Sequence, residues 1–534
     1  MHHFSAGSRR GRVLTLFLAA WFVGFSAIAQ ERQRQDLRQA GNLQLLNLWG
    51  EQPAVIQSLY NAAFNVLAAD QFAGYKALSQ DSVVRRLSRA CNLTHLGGPM
   101  LGDLTSQGAK VWVRTLYPAR VEVRVATERG EKKFGPVKST FENDLSAVVA
   151  VTGLKPGTSH VYRVLIDGTP ILLPQPAILT TLPSSSHSGP WRIIFGSCYH
   201  RWGLGNQALA QRMAERTPHA LLLCGDIAVQ DRNNHLGMHR ADYLLRDFFP
   251  AWKNLVASLP VYAVWDDHDY FDNDKAGVPE GYSPADRLNV WRVFKRAWNN
   301  PSYGFGSKGQ GLFFRTRIGP CDVIMTDTRY FRKNETGSFL GDEQMKWLLK
   351  QLQACQGPFI ILSSGTMWND YVSNGKDSWG RWDPAGRERI FHFIESKRIG
   401  GVLLISGDRH GARGFRIPRS SGYEFYEFEA ASLGGRTGPP VTDPEWRTQL
   451  YGVAGVYAFG EFTFDTSIPD PVVTFRLIQQ DGTILYEVAL PRSQLTPPPA
   501  RHDERTCLNY NSCTISPASR LQSHEQGIES LCTP

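Results

Sequence analysis

Cysteine is scarce in this chain: Cys91, Cys198, Cys224, Cys321, Cys355, Cys507, Cys513 and Cys532 are all there is in 534 residues. That density excludes a disulfide-dense scaffold. The grouping of the last three makes them the best candidates for a bridge in an oxidising compartment. Long blocks of one charge are missing as well. The net charge of +9 is spread thinly, which excludes a nucleic-acid-binding arm and leaves a general attraction to anionic substrates or an envelope surface. With 20% charged and 42% hydrophobic residues, the composition excludes wholesale disorder, a collagen-like repeat and a coiled coil. Beyond residue 29 no long apolar run remains.

What is present begins with an address. Arg9, Arg10 and Arg12 precede an apolar run from Val13 to Ala29 that closes on Ala27-Ile28-Ala29. A basic start, an apolar middle and a small-x-small end read as a secretory signal peptide over residues 1–29, with an N-terminal membrane anchor as the alternative. Ser8-Arg9-Arg10 also raises a twin-arginine export route. The expected location is periplasmic or secreted. A monomer is expected, touching membrane only through an uncleaved signal segment or a lipid substrate.

Texture then changes along the chain. Residues 30–95 carry apolar spacing near 3.6 over 53–69 and 81–90 and read as an N-terminal helical region. Gly97-Gly98-Pro99 reads as a turn, after which short alternating segments at 110–114, 120–125, 147–151 and 160–165 make 96–183 a small β-sandwich. From Trp191, strands expected at 192–197, 219–224, 261–265, 322–326, 359–363 and 401–406 are separated by helices expected at 206–216, 242–258, 341–353 and 384–397. Further strands follow near 424–429, 457–464 and 472–479, so residues 190–492 form an α/β layered domain with mixed sheets. Residues 493–534, opened by Pro497-Pro498-Pro499, read as a polar tail.

Each of four apolar strands ends on groups that bind metal. The first ends at Cys198, the second at Gly225-Asp226, the third at Asp266-Asp267-His268-Asp269 and a later one at Gly407-Asp408-Arg409-His410. In open α/β sheets, ligands bind outside the carboxyl ends of the strands, so these groups converge on one rim. Carboxylates so crowded resist ionising unless a cation sits among them. Thiolate and imidazole suit a transition metal, and the oxygen-rich corners suit Ca²⁺, Mg²⁺ or Mn²⁺. A pair of ions needs a bridging carboxylate, and Asp226 on the central strand is the expected bridge. Cys224, inside its strand, reads as an inert buried thiol, His235 and His239 as surface residues, and Asp266 and Asp269 as supporting or capping groups.

At these residues the chain resembles the PhoD-like alkaline phosphatase D family of metallophosphoesterases. The matching strings are Phe195-Gly-Ser-Cys198, Leu223-Cys-Gly-Asp226, Trp265-Asp-Asp-His-Asp269, Thr326-Asp-Thr-Arg329, Leu340-Gly-Asp-Glu-Gln344 and Gly407-Asp-Arg-His410. The resemblance covers roughly residues 96–490 and implies a four-layer αββα catalytic domain behind a fibronectin-III-like sandwich. It implies a phosphate-ester hydrolase, phosphodiesterase or phosphomonoesterase, using a metal-activated water and two or more metal ions. Iron and calcium follow from the family, with zinc or manganese as alternatives. Carried over, Cys198, Asp226, Asp267, Asp408 and His410 are metal ligands. His268 contacts phosphate and protonates the leaving oxygen, Arg329 stabilises charge and binds phosphate through its fork or else stands in a structural salt bridge, and Asn273 is a further substrate contact. One position departs. Where the family commonly has the tyrosine of Gly-Asp-x-x-Tyr, this chain has Val229, and Tyr199 or His200 of the neighbouring loop is left to fill the gap.

Two other readings compete. One is an envelope protein that binds a phosphate ligand with a weak or inactive metal site. The other makes Cys198 a nucleophile with His200 or His410 as base, a scheme that leaves Asp267-His268 without a task.

Overall fold

The computed structural model describes residues 37–184, 189–306, 309–333, 337–372 and 377–499. The expected signal segment 1–29 and the three tail cysteines lie outside the described residues. The strands Cys321–Met325, Phe359–Ser363 and Val402–Ser406 are buried at every residue. A sheet covered on both faces requires this, and side-chain alternation shows what covers each face. Ile324, Ile360, Leu362, Val402 and Leu404 point to one side, where they meet Leu348 and Leu352 of the helix Gly341–Ala354 and Ile390 and Ile394 of the helix Pro384–Ser396. Val323, Phe359, Ile361, Leu403 and Ile405 point to the other side, into a core shared with a second sheet.

The sheet just described has seven strands, in the order Phe314–Ile318, Cys321–Met325, Phe359–Ser363, Val402–Ser406, Glu424–Ala431, Gly411–Pro418 and Gln449–Val453. Its central members are parallel and its margins antiparallel. The facing sheet has six, in the order Val261–Val264, Ala220–Cys224, Trp191–Gly196, Ala458–Asp465, Val472–Gln479 and Ile484–Pro491, the first three parallel. Aromatic rings knit the two together: Phe428 meets Phe475 at 4.3 Å and Phe462 at 5.4 Å between centroids. The helices Gln207–Glu215, Leu236–Phe248 and Pro250–Val256 connect the parallel strands of the second sheet and bury Leu209, Met213, Leu244 and Leu255 in the same core.

Two antiparallel sheets precede this body. One pairs His95–Thr105, Gly108–Thr115 and Ser146–Val151; the other carries Ala119–Thr127, Gly130–Ser139 and Ser159–Ile166 with short edge strands. Val111, Val113, Val121, Val123, Val149 and Val164 fill the space between them. Further upstream, the helices Asn42–Leu46 and Ala54–Ala68 pack against the helix Leu236–Phe248, where Asn42 donates to Asp242 at 2.8 Å and Tyr60 to the Ala241 carbonyl at 3.0 Å, and the helices Tyr75–Gln80 and Ser82–Ala90 pack on Ala54–Ala68.

Three expectations need correction. The helix expected over 242–258 is two helices, parted at Phe249, because Pro250 forces the residue before it out of helical geometry (ψ 123°) and then opens the next helix. Gly97-Gly98-Pro99 lies inside the strand His95–Thr105, not in a turn. Glycine is needed at 97 for proximity: a Cβ there would sit 2.4 Å from Asp247 Oδ2. His239 is buried, its Nε2 2.8 Å from the Asn233 carbonyl, and His235 caps its helix by accepting from the Met238 N–H.

Candidate metal centre

Parallel strands of both sheets release their chains at one rim, and the backbone there is unusual. Cys198, His200, Asp226, Asp231, Asp408 and His410 all have left-handed φ, between 46° and 77°. Non-glycine residues held in that region accumulate where surrounding structure imposes a functional geometry. Two backbone bonds clamp the loops: Cys198 N–H donates to the Gly225 carbonyl at 3.1 Å and His200 N–H to the Asp226 carbonyl at 2.9 Å. Glycine at 225 and 407 lets these loops close. A Cβ at Gly225 would lie 2.4 Å from Asp266 Cβ, and one at Gly407 2.4 Å from Ser197 Oγ.

The ligand atoms form three groups, each within 4.8 Å: Cys198, His200, Asp226 and His410; Asp226, Asp267 and His268; and Asp226, Asp266, Asp267 and Asp408. Asp226 belongs to all three. All five residues expected as ligands are therefore together, and the residue expected to bridge stands at their junction. Cys198 Sγ is 3.6 Å from Asp226 Oδ2.

The fit to a cation is read from the protein atoms. Asp226 Oδ1 and His200 Nε2 are buried without a hydrogen-bond partner. Burial, reinforced by Asp267, Asp266 and Asp269, pushes the Asp226 carboxyl well above the ordinary range although His268 opposes it. Burial likewise raises Asp408 to about 6 against the pull of Arg409. A positive ion would relieve both costs, so the residues fit metal ions.

Supporting groups fix the rest. Burial pulls the His268 imidazole down, but Asp267, Asp226 and Asp231 outweigh it and raise it to about 10. Asp267 accepts from the backbone N–H groups of His268 at 3.0 Å and Asp274 at 2.7 Å. Asp269 takes the expected capping part, accepting from the N–H groups of Ile227, Ala228 and Val229. Cys224 is buried in its strand, and burial raises its thiol above the ordinary range. Asn273 is exposed near the rim; its amide donates to Asp274 at 2.9 Å and accepts from Arg38 at 3.4 Å.

Of the two parts open to Arg329, the structure shows the structural salt bridge. Its guanidinium is completely buried, donating to Asp266 at 2.5 and 2.9 Å and lying 2.9 Å from Asp377. Nε and Nη2 are engaged by carboxylates and Nη1 is buried without a partner, so that Arg329 is the counter-ion of Asp266 and Asp377. The nucleophilic reading of Cys198 meets a similar obstacle. Burial and the Asp226 charge push the thiol well up, away from the thiolate that attack requires.

Several groups escaped the sequence reading. Gln230 and Asp231, just beyond Val229, look like ordinary loop residues in sequence. Yet Asp231 Oδ1 lies 2.5 Å from His268 Nδ1, and the Gln230 amide runs between His200 and Asp231. Arg38, from the helical region, reaches Asp231 at 3.4 Å, and Arg436 Nη1 donates to His410 Nε2 at 2.8 Å. Both arrive over sequence distances that no local pattern records. Tyr199, one of the two residues left to fill the gap at Val229, is turned into the core edge-on to Trp252 at 6.4 Å; His200 is in the cluster.

Known proteins resemble this chain. Alkaline phosphatase D of Bacillus subtilis (strain 168) is 25% identical over 216 residues, which cover 35% of this chain and 36% of that protein. A solved structure described as that of PhoD superimposes with a TM-score of 0.58 at 19% identity, over 73% of this chain and 92% of the other. A purple acid phosphatase, PPD1 from seeds of yellow lupin (Lupinus luteus), superimposes with a TM-score of 0.53 at 12% identity over 74% of each chain. A domain of unknown function (DUF7800) matches residues 93–183. The model of the PhoD-like phosphatase matches residues 193–459, which hold the whole rim from Cys198 to Arg436 and make up half of the sequence, and the chain belongs to that family.

Proposed function

We propose that this chain is an exported, metal-dependent hydrolase of phosphate esters, acting on phosphodiesters, phosphomonoesters or both. The observation that carries the reading is the meeting of three donor groups on Asp226, whose second carboxylate oxygen is buried without a partner. When bound, metal ions polarise a phosphoryl oxygen and acidify a water molecule, the chemistry such an ester needs at neutral pH. The protein's own residues supply the rest. Asp267, held by two backbone N–H groups, presents a fixed charge. His268, gripped at Nδ1 by Asp231, keeps Nε2 for the leaving oxygen and delivers its proton there. Arg329 balances Asp266 and Asp377, so that the carboxylate rim holds its shape before an ion or substrate arrives.

Export rests on the leader-like run of residues 13–29; among the described residues no helix is long and apolar enough to cross a membrane. We read the chain as periplasmic or secreted and monomeric, with iron and calcium, or zinc or manganese, as its ions. The sandwich ahead of the catalytic sheets is read as fibronectin-III-like, supported by its two antiparallel sheets around a valine-rich core.

The test is removal of metal. Treatment with EDTA abolishes hydrolysis of nitrophenyl phosphate and of the bis-nitrophenyl diester, and adding metal back restores it; full activity after stripping overturns the reading. Val229 in place of a tyrosine favours one alternative, a protein that binds a phosphate ligand without turning it over. That alternative predicts saturable phosphate-ester binding and no hydrolysis with any ion.

A further inference from the structure

We propose that His200 is a metal ligand of this centre, so that one ion is held by Cys198 Sγ, His200 Nε2, Asp226 and His410. The inference rests on the metal-dependent reading above and deepens it.

The tautomer is set by a neighbour. His200 Nδ1 lies 3.0 Å from Oε1 of Gln230, whose Nε2 donates to Asp231 at 2.8 Å, so the amide oxygen faces the imidazole and accepts from Nδ1–H. Nε2 then carries the lone pair. It is buried and has no hydrogen-bond partner, and His200 belongs to the first donor group. A ring whose far nitrogen donates to an oxygen while its near nitrogen is bare is the arrangement that metal-binding histidines adopt.

The ring is also immobilised. It stacks on Trp202 at 4.4 Å and on His410 at 5.3 Å, and the His200 backbone is pinned to Asp226 in the left-handed region at φ 52°. A left-handed histidine without local benefit is an outlier, and here it carries the ring over the cluster. No other side chain of these two loops competes for the place. Val229 offers only carbon, its N–H being given to Asp269, and Tyr199 packs against Trp252. His410 Nε2 lies 2.8 Å from Arg436 Nη1, so its lone pair reaches an ion only once Arg436 gives it up, whereas the His200 lone pair is uncommitted.

One sulfur, two imidazole nitrogens and a carboxylate form a borderline-soft donor set. It suits Zn²⁺, Co²⁺ or Fe²⁺ better than a hard ion, with the oxygen-rich group of Asp266, Asp267 and Asp408 left for the harder one.

The experiment uses the full chain, stripped and reloaded with Co²⁺ alone. Wild type should show a thiolate-to-cobalt band in the near ultraviolet together with visible ligand-field bands. His200→Ala should shift the ligand-field bands and weaken cobalt binding by about tenfold or more, while the surface control His392→Ala should match wild type. Should His200→Ala fail to fold, X-ray absorption on cobalt-loaded wild type counts the imidazoles at the thiolate-bound ion. Two support the inference. One imidazole there, or a His200→Ala protein with unchanged cobalt spectrum and affinity, overturns it. A protein with the expected cobalt spectrum that stays without esterase activity when Ca²⁺, Mg²⁺ or Mn²⁺ is added beside the soft ion would instead overturn the hydrolase reading and leave this ligand standing.

Discussion

His268 Nδ1 lies 2.5 Å from Asp231 Oδ1, and this contact leaves Nε2 as the ring nitrogen available to a substrate. Asp231 is thus a positioning residue, acting through the imidazole it holds. Replacing it frees the ring to rotate and weakens its hold on the proton. Asp231→Asn should lower kcat about a hundredfold with KM nearly unchanged. The loss should be greater for an alkyl phosphate, whose leaving oxygen needs the proton, than for nitrophenyl phosphate, whose leaving group departs unaided. Equal losses on both substrates would remove His268 from the role of acid.

The Arg329 guanidinium gives a prediction opposite to that of a phosphate clamp. It is buried and shared among Asp266, Asp267 and Asp377. Removing one partner from a buried ionic cluster leaves uncompensated charge and costs about 3–5 kcal/mol. Arg329→Met should lower the denaturation midpoint and disturb metal content before it changes KM. A variant of wild-type stability with KM alone raised would restore the phosphate-binding role.

The site was largely readable because its ligands follow strands. An apolar run ending in Gly225-Asp226 or Gly407-Asp408 announces both the strand and the rim, and the order of the strands brought Cys198, Asp226, Asp267, Asp408 and His410 together as expected. What sequence could not give was the second partner of each charge. Arg329 sits in a string that looks like a free fork, and only the distance to Asp266 and Asp377 reveals its engagement. Asp231 and Gln230 matter because a loop folds back on His268, and Arg38 because a remote helical region docks beside it. In the fold, the strands of the catalytic sheets were legible from their apolar runs. The strand through Gly97-Gly98-Pro99 was not, since its glycine answers to Asp247 across the interface and not to a local turn.

That interface makes its own prediction. Asp247 lies 2.7 Å from Arg246 Nη2 and 3.5 Å from Arg114 Nη1, all three buried, and Arg114 Nη1 also donates to Tyr75 at 2.7 Å. The cluster joins the helix Leu236–Phe248 to the strand Gly108–Thr115 and the helix Tyr75–Gln80. Asp247→Ala should destabilise the fold by about 3–5 kcal/mol, read as a lower urea midpoint, while the folded protein keeps its metal content. An unchanged midpoint would mean that packing alone holds these parts together.

The buried His239 links stability to pH in a direction that can be worked out. Burial lowers its imidazole from 6.5 to about 4, although the Asn233 carbonyl favours the proton. Between those values the unfolded chain binds a proton that the folded chain refuses, so stability rises with pH across this window and is lost as pH falls from 6.5 towards 4. A shift of this size corresponds to roughly 3 kcal/mol. His239→Gln keeps an amide donor for the Asn233 carbonyl and removes the titration. Urea midpoints at a series of pH values from 7 to 4 should therefore fall more steeply for wild type than for His239→Gln. Parallel slopes would show that His239 takes up its proton without cost in the folded protein, and that the acid limb of stability comes from other groups.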